Sequence, residues 1–303
     1  MSTSYAECTL CGRGCGVDRR VSLGFCSVPD RLYVSRAALH HWEEPPISGT
    51  RGSGTIFFSG CSLGCVFCQN REISRGRSGR EISVARLAEI MLELEASGAH
   101  NINFVTPTHY APSIKEAILT ARGMGLAIPT VYNTGSYDTV ETLRMLEGVI
   151  DIYLPDFKYY LPKTAEKLSQ ASDYPTVASA AISEMARQTG APALDGEGIM
   201  RRGTIVRVLL LPGHVAEAKL AVKHLHDTYG DSVYVSLMSQ YTPMQGMTPP
   251  LDRPVTHDEY RDLCDYAERV GVTLGFTQEH GTASESFIPA FDGEGVLPKG
   301  ISP

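Results

Sequence analysis

The chain has 303 residues, 43% of them apolar and 20% charged, and a net charge of −7. That balance gives no field to attract a polyanion, so nucleic acid is excluded as a main partner. No run approaches the roughly 18 apolar residues that span a bilayer, and the opening Met-Ser-Thr-Ser-Tyr-Ala-Glu-Cys has no basic region leading into an apolar one, so no membrane or secretory role is read and a cytoplasmic protein is expected.

Residues 1–50 read as a separate segment with little periodicity, carrying Cys8, Cys11, Cys15 and Cys26 as C-x2-C-x3-C-x10-C. Gly12, Gly14, Gly16 and Gly24 are interleaved with them, and glycine lets a chain turn tightly around a metal. Four thiolates suit tetrahedral zinc or a closed iron–sulfur cluster. Free thiols are the plain alternative. Cys264, inside a predicted helix, reads as an ordinary buried thiol.

From Thr55 the pattern alternates between strand and helix. Thr55–Ser59 is a short apolar strand. Ser83 opens a helix whose apolar positions Val84, Leu87, Met91 and Leu94 share one face, and Gly98 stops it. Strand Asn101–Val105, helix Ser113–Arg122 and strand Ile128–Tyr132 follow. Asp138 with Glu141 predicts a capping box for a helix ending near Gly148. A strand over Val149–Leu154, a polar insert with a helix near Thr176–Gln188, and a strand over Thr204–Leu211 come next. Val215–Tyr229 reads as helix and Ser232–Met238 as strand. Thr256 with Glu259 predicts a second capping box, for a helix reaching about Val270. A Gly- and Pro-rich tail runs over 281–303. Six βα units in series predict a parallel α/β sheet, and six rather than eight suggests an open, partial barrel over 51–280. In such folds the chemistry lies at the C-terminal ends of the strands.

Directly after the first of those strands stands Cys61-Ser-Leu-Gly-Cys65-Val-Phe-Cys68. Four cysteines usually hold an iron–sulfur cluster, and a C-x3-C-x2-C triplet leaves one iron open to a small molecule. Structural zinc wants four ligands, and no His occurs between Cys68 and His100. With Phe67 before the last cysteine, the segment resembles the radical S-adenosylmethionine (SAM) enzymes. The resemblance implies a (β/α)6 partial TIM-like barrel, a [4Fe-4S] cluster on Cys61, Cys65 and Cys68, and SAM chelated at the open iron. Reductive cleavage there yields methionine and a 5'-deoxyadenosyl radical, the cofactor carrying the hard chemistry.

Taken with its flanks, the chain is similar to the pyruvate formate-lyase-activating-enzyme group, in an uncharacterised branch of activating-enzyme homologues. The stretches that carry this are His41-Trp-Glu-Glu-Pro-Pro-Ile-Ser-Gly49, Gly52-Ser-Gly-Thr-Ile-Phe-Phe58, Cys68-Gln-Asn70, Asn101-Ile-Asn-Phe-Val-Thr-Pro-Thr-His-Tyr110, Asp151-Ile-Tyr-Leu-Pro-Asp-Phe-Lys158 and Leu211-Pro-Gly213. The resemblance implies SAM contacts at matching strand ends. Thr106, Thr108 and His109 stand where that group has Gly-Gly-Glu, with His109 as the substitute partner for the SAM amino group. Asn133 and Thr134, before Gly135, resemble the turn that contacts the ribose. Asp156 and Lys158 match an Asp-x-Lys pair, with Lys158 facing the SAM carboxylate. Gln240, beside Tyr241, falls where the adenine or methionyl end is capped. Arg207 either faces the same site or forms a structural ion pair.

By the same resemblance, the expected activity is hydrogen abstraction from a backbone glycine of a glycyl-radical enzyme, with flavodoxin or ferredoxin as reductant. Modification of another peptide or of a small molecule is the alternative within the same chemistry. A non-enzymatic iron–sulfur electron carrier or metal-binding protein is the alternative outside it, though a carrier needs no six-strand scaffold.

Overall fold

A computed structural model describes residues 4–76, 78–278 and 288–298. In chain order its elements are β1 (Leu32–His40), α1 (Pro45–Ser48), β2 (Ser53–Phe58), α2 (Arg71–Ser74), β3 (Arg80–Ile82), α3 (Val84–Ala96) and β4 (Ile102–Val105). Then come α4 (Ala111–Gly123), β5 (Thr130–Thr134), α5 (Val140–Met145), β6 (Ile152–Pro155), α6 (Pro162–Ser169) and α7 (Tyr174–Thr189). β7 (Ala193–Leu194), β8 (Met200–Leu209), α8 (Val215–Tyr229), β9 (Tyr234–Met238), α9 (His257–Val270) and β10 (Gly275–Phe276) complete the order.

The strands form one sheet in the order β10-β9-β8-β6-β5-β4-β2-β1-β3. Every neighbouring pair from β2 to β10 is parallel, so β2, β4, β5, β6, β8 and β9 supply the six expected strands and β10 adds a two-residue seventh. No strand pair among the described residues closes the two ends, so the sheet is the open α/β barrel that six units suggest. β2, β4, β5 and β6 are buried at every position, as parallel strands covered on both faces must be.

The helices follow from local chemistry. Ser83 caps α3 by accepting the Arg86 N–H, and Leu87, Met91 and Leu94 are buried on its inner face. At the other end of the barrel, Thr256 and Glu259 make the reciprocal capping box that opens α9. Asp138 does not cap α5: Thr139 does, accepting the Thr142 N–H. The Asp138 carboxylate turns inward and accepts from the Tyr132 hydroxyl at 2.9 Å and the Thr134 hydroxyl at 2.6 Å. Two strands begin later than their apolar runs. Pro129 has no N–H to give a ladder, so β5 starts at Thr130. Val149 and Ile150 are held by a turn to Leu146 before β6 begins.

A strand not expected from the sequence, β1, runs antiparallel to β2 and pairs on its other edge with β3. Its register shifts between Val34 and Arg36, which breaks the two-residue alternation that marks a strand. The C-terminal stretch 288–298 lies along the rest of that edge. Ala37 N–H donates to Glu294 O, Gly293 N–H donates to Ser35 O, and Val296 is fully buried. Arg86 donates to the carbonyls of Val296 and Leu297, and Arg36 pairs with Asp292 and Glu294. The remainder of the predicted tail lies outside the described residues.

Candidate active site

β2 ends at Phe58, and the chain turns at Gly60, whose φ of +86° lies in the left-handed region. A Cβ at Gly60 would stand 2.7 Å from the Cys26 carbonyl oxygen, so glycine is needed for both space and conformation. The loop that follows places Cys61, Cys65 and Cys68 on the wall of one cavity, at the C-terminal ends of the strands. The Leu63 and Gly64 N–H groups point at Cys61 Sγ at 3.4 and 3.5 Å. Burial pushes the Cys61 thiol up and the Cys68 thiol up to about 12, with the neighbouring cysteines adding to both. Loading this loop with metal therefore releases protons.

Among the described residues, no three Cys, His, Asp or Glu side chains converge on a point where one ion could sit. Three thiols on one cavity wall, with backbone N–H groups aimed at a sulfur, fit a cluster with an open iron.

The same cavity is lined by Phe67, Thr106, Thr108, Asn133, Thr134, Gly135, Asp156, Lys158, Arg207, Gln240 and Tyr241, which brings together nearly all the sequence-predicted positions. Phe67 is buried against Tyr159 and Tyr241, with ring centroids at 6.3 and 6.2 Å. It packs the wall behind the cysteines.

On the cavity wall a single guanidinium bonds three side chains. Arg207 donates Nε to Asp156 Oδ1 at 2.7 Å, Nη1 to Glu43 Oε2 at 3.2 Å, and Nη2 to Asn133 Oδ1. Asn133 Nδ2 donates in turn to Glu43 Oε1 at 3.2 Å, so both ends of this carboxamide are engaged. Lys158 Nζ donates to Asp156 Oδ2 at 2.6 Å. Burial alone would raise the Asp156 carboxyl, but Arg207 and Lys158 overcome it and hold the group below the usual carboxylate range. Burial would likewise lower the Lys158 ammonium, and Asp156 overcomes it, so the group stays charged with donors left for an anionic ligand. Glu43 goes the other way: burial outweighs Arg207 and raises it. Arg207 is thus both a cavity residue and an ion-pair partner, two roles that the sequence left as alternatives.

His109 is the exception among the predicted ligands. It is absent from the cavity lining and buried behind it, where Nε2 bonds Ser59 O at 2.8 Å and the ring packs on Tyr110 with centroids at 4.3 Å. A short 3-10 turn over Thr108–Tyr110 causes this. It sends Thr108 toward the cavity and His109 into the core. The Thr108 hydroxyl lies 3.2 Å from that of Thr134, which donates to Asp138, so the two threonines form a chain anchored on a buried carboxylate.

Glu43, His40, Trp42, Phe57 and Pro289 line the cavity without having been singled out. Glu43 was legible in part, as an acid inside the His41-Trp-Glu-Glu run. Pro289 had no signal, since it arrives from the far end of the chain. Beside it, Phe291 stacks edge-on against Phe57 with centroids at 5.5 Å.

Residues 55–192 match the model of the Radical SAM superfamily. An uncharacterised protein of Methanocaldococcus jannaschii is 29% identical over 281 residues, 89% of this chain and 77% of that one. Among solved structures, a radical SAM methyltransferase from Sphaerobacter thermophilus superposes with a TM-score of 0.51 at 14% identity, covering 74% of this chain and 66% of the other. Streptococcus suis SuiB gives a TM-score of 0.49 at 14% identity over 75% of this chain, which spans 48% of SuiB's length. At 14% identity the likeness to the methyltransferase structure is one of fold. Over residues 55–192 the chain is thus similar to the radical SAM superfamily.

Proposed function

We propose that this chain holds a [4Fe-4S] cluster on Cys61, Cys65 and Cys68, binds SAM in the adjoining cavity, and abstracts a hydrogen atom from a glycine in a polypeptide partner of the glycyl-radical class. The cluster and SAM, when bound, supply one-electron cleavage to a 5'-deoxyadenosyl radical. One observation carries the reading: all three thiols share a cavity with Lys158, Asp156, Asn133, Thr134 and Gln240.

The chain's own residues bind and orient. Lys158, charged and braced by Asp156, offers its remaining N–H donors to the SAM carboxylate. Thr108 and Thr134 offer hydroxyls whose rotation is limited by the bond to Asp138. Thr106, with φ of +58°, presents its backbone at the end of β4. Phe67 and Tyr241 form a dry wall, with the Tyr241 hydroxyl tied to Leu251 O at 2.6 Å. A flavodoxin or ferredoxin is the expected electron donor.

A second reading, modification of another peptide or of a small molecule, is favoured by the covering of Phe57 by Phe291 and by Pro289 in the cavity lining. A cavity bordered by that cover suits a substrate smaller than a folded protein. Mixing the reduced protein anaerobically with SAM and candidate partners separates the two. A glycyl radical seen by spin resonance supports the first reading. Deoxyadenosine release with a mass change in a peptide or metabolite, and no protein radical, supports the second. Neither product formed by protein whose cluster is reduced would overturn both.

A further inference from the structure

The four N-terminal cysteines have no part in the reaction proposed above, yet they form a built site. Cys8 N–H donates to Val17 O and Gly16 N–H donates to Cys8 O, both at 3.0 Å, while Gly14 N–H closes on Cys11 O at 3.0 Å. The chain thereby folds back on itself between the first and third cysteines, with Gly14 and Gly16 at φ of +49° and +64°. Cys8, Cys11 and Cys26 are buried and Cys15 is half-buried. The Phe25 N–H points at Cys15 Sγ at 3.5 Å, as two N–H groups do at Cys61. A Cβ at Gly24 would stand 3.2 Å from that sulfur.

Charge supplies an independent observation. Arg19 is fully buried, and its guanidinium donates to the carbonyls of Val28, Pro29 and His109. Among the described residues no carboxylate forms an ion pair with it, and the groups able to carry negative charge that act on it are Cys26 and Cys8 foremost, then the Tyr5 and Tyr110 hydroxyls. Carbonyl dipoles solvate a guanidinium but do not neutralise it, and an uncompensated buried ion costs several kcal/mol. Four thiolates around a metal centre carry the missing negative charge, whereas four thiols do not.

We propose that Cys8, Cys11, Cys15 and Cys26 ligate a second iron–sulfur cluster, coordinatively closed. Its place in the fold gives the site a relation to the first. The Cys26 carbonyl abuts Gly60, and a Cβ at Gly64 would stand 3.2 Å from the Phe25 ring. Arg13, between Cys11 and Cys15, donates to Ser62 O at 2.9 Å and Leu63 O at 3.0 Å. Its guanidinium also lies over the Phe25 ring, 3.6 Å from the centroid. The N-terminal cysteine loop therefore packs directly against the Gly60–Gly64 backbone that carries Cys61. Only this placement beside a first cluster rests on the proposed function; the four-cysteine site does not.

The test is iron, sulfide and zinc content with spin-resonance spectra of anaerobically reconstituted protein. It compares wild type, C8A/C15A, and the triple variant C61A/C65A/C68A. Wild type is expected to hold about eight irons, and the triple variant about four, with a reduced signal that SAM does not alter. C8A/C15A should hold about four and keep a SAM-sensitive signal; if it fails to fold, the triple variant carries the test alone. A folded triple variant without iron, or with one zinc in its place, would overturn the proposal. A wild type holding one cluster that survives in the triple variant and ignores SAM would sink the proposed function and leave the second site standing.

Discussion

Arg207 and Asp156 face each other across the adjacent strands β8 and β6, with Nε 2.7 Å from Oδ1 and both side chains largely buried. Removing one member of a buried pair strands the other charge, at a cost of about 3–5 kcal/mol. R207Q is expected to lose stability in that range, since Glu43 also loses a donor. D156N should lose less than that, and the double variant less than the sum. Chemical denaturation in a double-mutant cycle checks it. Additive losses would mean that the two residues act independently.

Lys158 is assigned to the SAM carboxylate. K158M removes a charged donor worth about 1.5–3 kcal/mol, so SAM affinity should fall by roughly 10- to 100-fold. Titration calorimetry with the iron-loaded protein reads this directly, and an unchanged affinity would assign the contact elsewhere.

Any one of Cys61, Cys65 or Cys68 replaced by alanine should abolish reductive release of 5'-deoxyadenosine. Product measured by chromatography under dithionite checks this, and turnover above background in any of the three variants contradicts the cluster assignment.

His109 is held at about 3, first by burial and then by the charge of Arg19, against an ordinary 6.5. It stays neutral in the fold while the unfolded chain takes up a proton below 6.5. The stability it contributes is therefore present above pH 6.5 and is lost between there and about 3. The slope reaches about 1.4 kcal/mol per pH unit. His40, lowered to about 4 mainly by burial, acts in the same direction. H109Q should flatten part of this dependence in denaturation curves taken from pH 7 to 4. A slope that does not change would show His109 to be proton-accessible in the fold.

Gly60 joins left-handed backbone to a close approach by the Cys26 carbonyl. G60A is expected to cost about 1–3 kcal/mol from strain alone and to lower iron content at both cysteine sets. Full iron content with a melting temperature unchanged from wild type would disprove the close packing of the two loops.

The parallel half of the fold was legible because its strands are continuous apolar runs separated by capped amphipathic helices; Ser83 and Thr256 mark two starts correctly. The cysteine triplet and the strand-end positions Thr134, Asp156 and Lys158 were legible because chemistry in such folds collects at strand ends. Three features were not. β1 hides its alternation behind a register shift at Val34–Arg36. His109 sits at a strand end but is turned inward by one residue of 3-10 geometry, which spacing cannot reveal. Asp138 has a capping residue's composition but satisfies the Tyr132 and Thr134 hydroxyls instead. Glu43 stands between these cases, visible as an acid in the His41-Trp-Glu-Glu run but placed in the cavity only by the segment after β1.

The bonds from Ala37 to Glu294 and from Ser35 to Gly293, with Val296 buried beneath them, set an order of events during synthesis. The edge of β1 emerges from the ribosome early but stays uncovered until residue 296 has followed it. A nascent chain therefore carries an open strand edge while all the elements between β1 and residue 293 are made. Changes close behind residue 296 should be felt at β1, beside Phe57 and the cysteine loop.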